Sequence, residues 1–199
     1  MQIKELRDIS LSALALAIAF GIALAGGLDG LGNPVYVLTL IGISLLAVST
    51  GFIFHELAHR LVARRFGYLA EYAMWPAGLL IALVSSLMGF IFAAPGAVVI
   101  RPGNIIISTR ETEVENMGLI SIAGPATNIV IAVLFLLLDT IYPTLIFYLG
   151  AYINTWLAIF NLIPFGPLDG AKVFRWNKIY WGAALAIAGL LFVLQRFVL

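Results

Sequence analysis

Apolar segments of about 20 residues, separated by short polar or glycine-rich turns, make up most of this chain. A helix of about 20 apolar residues is long enough to cross the ~30 Å hydrocarbon core of a lipid bilayer. Charged residues are only 11% of the chain, whereas soluble domains carry about 25%. The sequence therefore predicts an all-α polytopic membrane protein. The predicted spans are residues 9–28, 35–63, 117–138, 144–162 and 179–197.

The segment 67–110 does not follow this simple pattern. Its apolar part, residues 77–94, is bracketed by prolines and could either span the membrane once or re-enter it. Residues 97–100 and 105–108 have the composition of two short strands around a Pro-Gly turn. We therefore expect five to six transmembrane helices, with a re-entrant or short β-strand insertion in this segment.

The second span carries the sequence His-Glu-Leu-Ala-His at residues 55–59, which contains the only two histidines of the chain. On a helix, residues four apart lie on one face, about 6 Å apart along the axis. Two imidazoles placed in this way can bind one zinc ion, and Glu56 can accept a proton from a water molecule at the metal. The alternative is a set of polar residues that are merely satisfied within a helix bundle. It is weaker, because an ionisable cluster in an apolar span is costly and usually functional.

A catalytic zinc ion needs a third protein ligand beside two histidines. The chain has no cysteine and no further histidine, so the third ligand must be one of its ten acidic residues. Among these, Asp169 alone follows a helix that is broken at the end of a span, because prolines and a glycine interrupt residues 164–167. The alternative is that Asp169 is only a turn residue that precedes a glycine and binds no metal. We expect one zinc ion per chain, held by His55, His59 and Asp169.

Basic residues predict the orientation of the chain in the membrane. Under the positive-inside rule, the N-terminus and the end of the second span both face the cytosol. The basic residues concerned are Lys4 and Arg7, and then Arg60, Arg64 and Arg65, which we interpret as topology signals alone. The histidine pair therefore lies nearer the cytosolic side. Asp169 reaches the same depth only if segment 67–116 returns to the side on which it begins.

Two of these motifs resemble those of a known protein family. The sequence at 55–59, together with Asn-Leu-Ile-Pro-Phe-Gly-Pro-Leu-Asp-Gly at 161–170, is similar to the metal motifs of the site-2 protease family of zinc intramembrane metalloproteases, peptidase family M50. Gly-Pro-Ala-Thr-Asn at 124–128 resembles a third element of that family. The resemblance covers about residues 35–175. It implies one membrane domain, 1–199, in a compact form without a PDZ module, with accessory spans at 9–28 and 179–197.

The resemblance also implies roles for individual residues. His55, His59 and Asp169 would hold zinc, and Glu56 would be the general base. Asn161 would contact the substrate or stabilise an oxyanion. The chain departs from the family pattern at residue 171, where alanine stands for a common second glycine, and at the apolar run 77–94, where a short sheet is usual. We interpret Asn128, in the third element, as a source of an interhelical hydrogen bond.

The expected function is that of a zinc-dependent intramembrane endopeptidase in the cell membrane, which cleaves transmembrane segments of membrane protein substrates. The 96–108 strands could pair with an unwound substrate segment by strand addition. A non-proteolytic metal-binding protein that holds partner helices is the alternative. A metal transporter would need polar residues in several spans. The net charge of +1 excludes a typical nucleic-acid-binding surface.

Overall fold

The structure is a computed structural model and describes residues 3–92, 94–103 and 109–198. Helices account for most of the described chain, and one two-stranded sheet interrupts them. The helices are α1 (Ile3–Leu24), α2 (Pro34–Arg65), α3 (Pro76–Ser86), α4 (Arg110–Ile141), α5 (Leu145–Asn161), α6 (Asp169–Trp176) and α7 (Lys178–Val198), and the strands are β1 (Leu69–Met74) and β2 (Gly96–Arg101).

Four helices among the described residues, α1, α2, α4 and α7, are long and apolar enough to cross a membrane. The 17-residue helix α5 is also apolar and brings the number of long apolar helices to five. The predicted all-α polytopic membrane fold with a short β-strand insertion is therefore confirmed. Helix α1 extends from Ile3, whereas the predicted span begins at residue 9, and its acidic residues Glu5 and Asp8 are buried.

Helix α2 lies at the centre of the bundle and packs against α1, α4 and α5. The N-terminus of α2 is capped by Asn33, whose side chain accepts the Tyr36 N–H, and Pro34 occupies the first helical position. The main core cluster between α1, α2 and α5 includes Phe20, Val48 and Ile153, which are almost completely buried. Helix α2, which carries both histidines, is therefore packed against three other helices.

The segment between α2 and α4 contains helix α3 and the two-stranded sheet. Strands β1 and β2 pair antiparallel, from Leu69 opposite Arg101 to Met74 opposite Gly96. Between them, α3 has only 11 residues, about 16 Å of helix, and the chain then returns to the sheet. Trp75 and Pro95 thus lie at the same end of the sheet, and the expected short β-strand insertion is present.

The two strands correspond only in part to the predicted ones. The strand predicted at 97–100 is present within β2, but its partner is β1, which the sequence analysis did not predict. The second predicted strand, 105–108, lies outside the described residues. Strand β1 has a weakly β-forming composition, and its pairing is supported by burial of Ala70 and Tyr72 on one face.

A buried ion pair ties α1 to α2. Arg60 Nη1 donates to Glu5 Oε1 at 2.9 Å, and the exposed fractions of these side chains are 12% and 5%. The same Glu5 oxygen accepts the backbone N–H of Tyr72 in β1 at 3.2 Å, and the Tyr72 hydroxyl donates to Ser12 at 2.8 Å. The interpretation of Arg60 as a topology signal alone was therefore wrong, because Arg60 pairs with Glu5, which links α1 to both α2 and β1.

Candidate metal centre

His55 and His59 lie one turn apart on the buried face of α2. Their ring centroids are 4.5 Å apart, and their Nε2 atoms are 2.9 Å apart. Both side chains are buried, with 4% and 5% of the residue surface exposed. The helical spacing predicted from the sequence therefore brings two imidazole nitrogens together inside the bundle.

Asp169, the first residue of α6, also lies beside the two histidines. Its Oδ2 atom lies 3.3 Å from Nε2 of His55 and 3.0 Å from Nε2 of His59. Helix α5 ends at Asn161, and the chain turns through Gly166, whose φ of 59° is readily adopted by glycine, before α6 begins at Asp169. The three predicted ligand residues thus offer ligand atoms that all lie within 4.8 Å of one another.

Both histidines are oriented from behind by helix α4. His59 Nδ1–H donates to the carbonyl oxygen of Ile120 at 2.7 Å, and His55 Nδ1–H donates to Oδ1 of Asn128 at 2.6 Å. A hydrogen bond from Nδ1 leaves the lone pair on Nε2, where a metal ion would be bound. The Asn128 amide also donates to the Gly51 carbonyl of α2 at 3.2 Å, so it makes the interhelical bond that we expected and orients His55 as well.

Gly124 of α4 leaves the space in which the imidazoles lie. A Cβ atom built on Gly124 would approach Nε2 of His55 to 2.6 Å and would lie closer still to Nε2 of His59. Any side chain larger than hydrogen would therefore overlap both imidazoles. This close approach accounts for the glycine of the Gly-Pro-Ala-Thr-Asn segment, and the following Pro125 is accommodated within the continuous helix α4.

Glu56 faces the same space as the histidines. It is 6% exposed, and among the described residues its Oε2 atom is buried without a hydrogen-bond partner. A buried carboxylate oxygen without a partner is costly unless another group satisfies it. Two imidazole nitrogens and one carboxylate oxygen are a donor set found in catalytic zinc sites, and Glu56 adds a free oxygen beside them. The residues present therefore fit a zinc ion.

A cavity of about 460 Å³ opens onto this cluster. Its walls include apolar residues of β2, namely 96–100, and the end of α5. Lys172 also lines it, with Nζ 3.8 Å from Oδ1 of Asp169. Asn161 lies in the wall too, but its amide donates to the Leu157 carbonyl one turn earlier at 2.9 Å, so its role toward a substrate stays a prediction.

Comparison with known proteins agrees with this arrangement. A model of peptidase family M50 matches residues 42–144, about half of the chain. The chain belongs to peptidase family M50. A protein of Methanocaldococcus jannaschii, whose name places it among the zinc metalloproteases, is 38% identical over 193 residues, which are 94% of this chain and 90% of that protein. No solved structure matches the chain.

Membership of a zinc metalloprotease family makes zinc the cofactor of this M50 peptidase, as the motifs predict. The matched region 42–144 includes the two histidines and the Gly-Pro-Ala-Thr-Asn element but ends before Asp169. The convergence of Asp169 on the histidines is therefore an independent observation from the fold of this M50 peptidase.

One polar residue near the centre was missed from the sequence. Asn154 lies in the middle of α5, is completely buried, and accepts the Asn128 amide at 3.1 Å. A polar side chain within an apolar span is the signal that could have found it, because such residues usually bond to another helix or serve a site.

Proposed function

We propose that this M50 peptidase is a zinc-dependent intramembrane endopeptidase that hydrolyses peptide bonds in transmembrane segments of membrane proteins. The observation that carries the proposal is the buried, unpartnered Oε2 atom of Glu56 beside the His55, His59 and Asp169 cluster, facing a cavity within an apolar bundle. Residues 1–199 are proposed to form one catalytic domain with its core at 35–175.

His55, His59 and Asp169 are proposed as the metal ligands. A bound zinc ion supplies Lewis acidity, which makes water more acidic and polarises a carbonyl group. Glu56 accepts the proton of the attacking water at its unpartnered oxygen and later donates it to the leaving amine. Asn161 serves the oxyanion only if its amide turns away from the Leu157 carbonyl.

The substrate is proposed to be an apolar helix that unwinds before cleavage. A helical segment hides its peptide groups in internal hydrogen bonds, and an extended segment can instead pair with an open strand edge. Strand β2 lines the cavity with residues 96–100 and has one described strand partner, β1. Addition of the substrate to the other edge of β2 would bring an extended peptide group beside Glu56.

The protein is proposed to lie in the cell membrane with its N-terminus in the cytosol and the metal centre nearer the cytosolic side. The support is the distribution of basic residues under the positive-inside rule. Those residues stand at the start of α1, at the end of α2 and around α6, and they are Lys4, Arg7, Arg64, Arg65, Lys172 and Arg175.

The test is comparison of the wild-type protein with Glu56→Gln. Each purified protein is incubated with solubilised membrane proteins of the source cells, and new peptide termini are identified by mass spectrometry. We expect wild type to produce termini within transmembrane segments. Loss of the base should reduce their formation at least 100-fold, while zinc stays bound. Glu113→Gln, an exposed carboxylate at the start of α4, is the matched control.

Two results would contradict the proposal. Cleavage by Glu56→Gln at the wild-type rate would exclude Glu56 as the base. A wild-type protein that binds zinc and retains partner helices but creates no new termini would favour the alternative, a non-proteolytic metal-binding protein.

A further inference from the structure

We propose that Asn154 is a positioning residue of the zinc centre. Acting through Asn128, it holds the imidazole of His55 with Nε2 directed toward the metal. The inference rests on the metal ligands of the proposed function. It adds a residue that touches neither zinc nor substrate and that lies on a helix, α5, with no metal ligand of its own.

The chain of contacts begins at a backbone carbonyl, which can only accept a hydrogen bond. Asn154 Nδ2 donates to the carbonyl oxygen of Gly150 at 2.9 Å. This bond determines which end of the Asn154 amide is nitrogen, so the oxygen, Oδ1, points away from α5 toward α4. Asn154 is completely buried, and no rotation into water competes with this orientation.

The second link is Asn128 on α4. Its Nδ2 atom donates to Oδ1 of Asn154 at 3.1 Å and to the carbonyl oxygen of Gly51 at 3.2 Å. Both partners are acceptors in this arrangement, so a flipped Asn128 amide would place oxygen against two oxygens. The Asn128 oxygen must therefore face the third direction, which is occupied by His55.

The third link is the imidazole. Oδ1 of Asn128 lies 2.6 Å from Nδ1 of His55 and can only accept, so the proton of a neutral His55 ring resides on Nδ1. The lone pair of Nε2 then points toward Nε2 of His59 and Oδ2 of Asp169. Asn154 thus influences which nitrogen of His55 is available as a ligand.

The two histidines differ in how they are oriented. His59 is oriented in one step, by the Ile120 carbonyl, which no substitution of a side chain removes. His55 depends on two side chains in series, Asn128 and Asn154. Gly51 leaves space for the Asn154 amide that bonds to Asn128, because a Cβ atom at Gly51 would lie 2.6 Å from Oδ1 of Asn154. The close packing of α2 on α5 therefore leaves room for this amide.

The experiment measures zinc affinity of the purified full-length protein in detergent, by competition with a chelator. Asn154→Leu keeps similar volume but removes both hydrogen bonds, and we expect zinc affinity to fall about 10- to 100-fold, the usual effect of losing an outer-shell partner. Asn154→Ser is the second variant, should the leucine variant fail to fold. The matched control is Thr155→Val, equally buried on α5 and bonded to Gln195 rather than to the centre.

A double variant separates positioning from stability. Because Asn154 acts through Asn128, we expect Asn128→Ala with Asn154→Ser to bind zinc no more weakly than Asn128→Ala alone. Thr155→Val should lower the unfolding temperature and leave zinc affinity unchanged. The proposal would be overturned if the losses of zinc affinity from Asn128→Ala and Asn154→Ser were additive. It would also be overturned if Asn154→Leu and Thr155→Val bound zinc equally well.

The metal site itself is tested separately by His55→Ala. If that variant binds zinc as tightly as wild type does, the proposed ligand set is wrong whatever the asparagine variants do. If it loses zinc while Asn154→Leu and Asn154→Ser both retain wild-type affinity, the ligand set stands and the role of Asn154 is refuted.

Discussion

Oδ2 of Asp169 lies 3.0 Å from Nε2 of His59, although the two residues belong to helices α6 and α2, which are far apart in the sequence. This contact makes one site from two sequence motifs. We expect purified protein to hold about one zinc ion per chain, as catalytic zinc sites do, and His55→Ala and Asp169→Ala each to lose it. Metal analysis of detergent-purified protein is the measurement.

Asp139→Asn is the control for these two variants. Asp139 is also buried, but it accepts the Thr144 N–H at 2.9 Å at the end of α4 and is distant from the centre. Its substitution should leave the zinc content unchanged. Full zinc content in Asp169→Ala would mean that Asp169 is not a ligand.

Gly124→Ala should prevent zinc binding without unfolding the protein. The added methyl group would meet Nε2 of both histidines, and the imidazoles would have to turn away from Asp169. Alanine is a better helix former than glycine, so α4 itself should persist. Zinc content and circular dichroism distinguish the two effects. Gly182→Ala, where nothing lies within 4 Å of the added atom, is the control; normal zinc content in Gly124→Ala would contradict the packing described.

Arg60→Met should destabilise the protein strongly, because it leaves Glu5 buried without its partner. Breaking a buried ion pair from one side costs about 3–5 kcal/mol of unfolding free energy. Replacing both residues, by Glu5→Leu with Arg60→Met, should recover most of this loss. Thermal unfolding in detergent measures both. Arg64→Met, at an exposed position one turn later, should change stability by less than about 0.5 kcal/mol. If the double variant is as unstable as Arg60→Met, the pair is not the cause.

Proline substitutions in β2 should test strand addition. Successive N–H groups of a strand point to opposite edges, so of Val98→Pro and Val99→Pro one removes a donor facing β1 and the other a donor facing the free edge. We expect both to slow cleavage of membrane substrates, and the free-edge variant to do so without a drop in unfolding temperature. Wild-type cleavage rates in that stable variant would show that substrate does not pair with β2.

The sequence was sufficient where a property depends on local spacing. A four-residue interval on a helix places His55 and His59 together whatever surrounds them, and a shortage of ligand types left Asp169 as the best third candidate. Proline and glycine after Asn161 marked the turn that brings Asp169 inward. These local rules were enough for the polytopic fold and the ligand candidates, whereas the family came from the resemblance of the motifs.

Contacts between distant elements could not be predicted in the same way. Strand β1 has little β-forming character and exists because β2 lies beside it. The pairing of Glu5 with Arg60 depends on how α1 packs against α2. The hydrogen bond between Asn154 and Asn128 depends on which faces of α4 and α5 are in contact. No spacing within one helix contains that information. The sequence therefore predicted only a topology role for Arg60 and an interhelical hydrogen bond for Asn128, and no role for Glu5 or Asn154.

The sheet that holds β2 at the cavity also holds the two ends of the α3 segment together. Met74 and Gly96 are paired, and Trp75 N–H donates to the Pro95 carbonyl at 2.8 Å, so the chain departs and returns at neighbouring points. A segment with adjoining ends can be lengthened, shortened or replaced without moving the strands that frame it. A change in the length of α3 would therefore leave β1 and β2 paired, but it would remove contacts that α3 makes with α1.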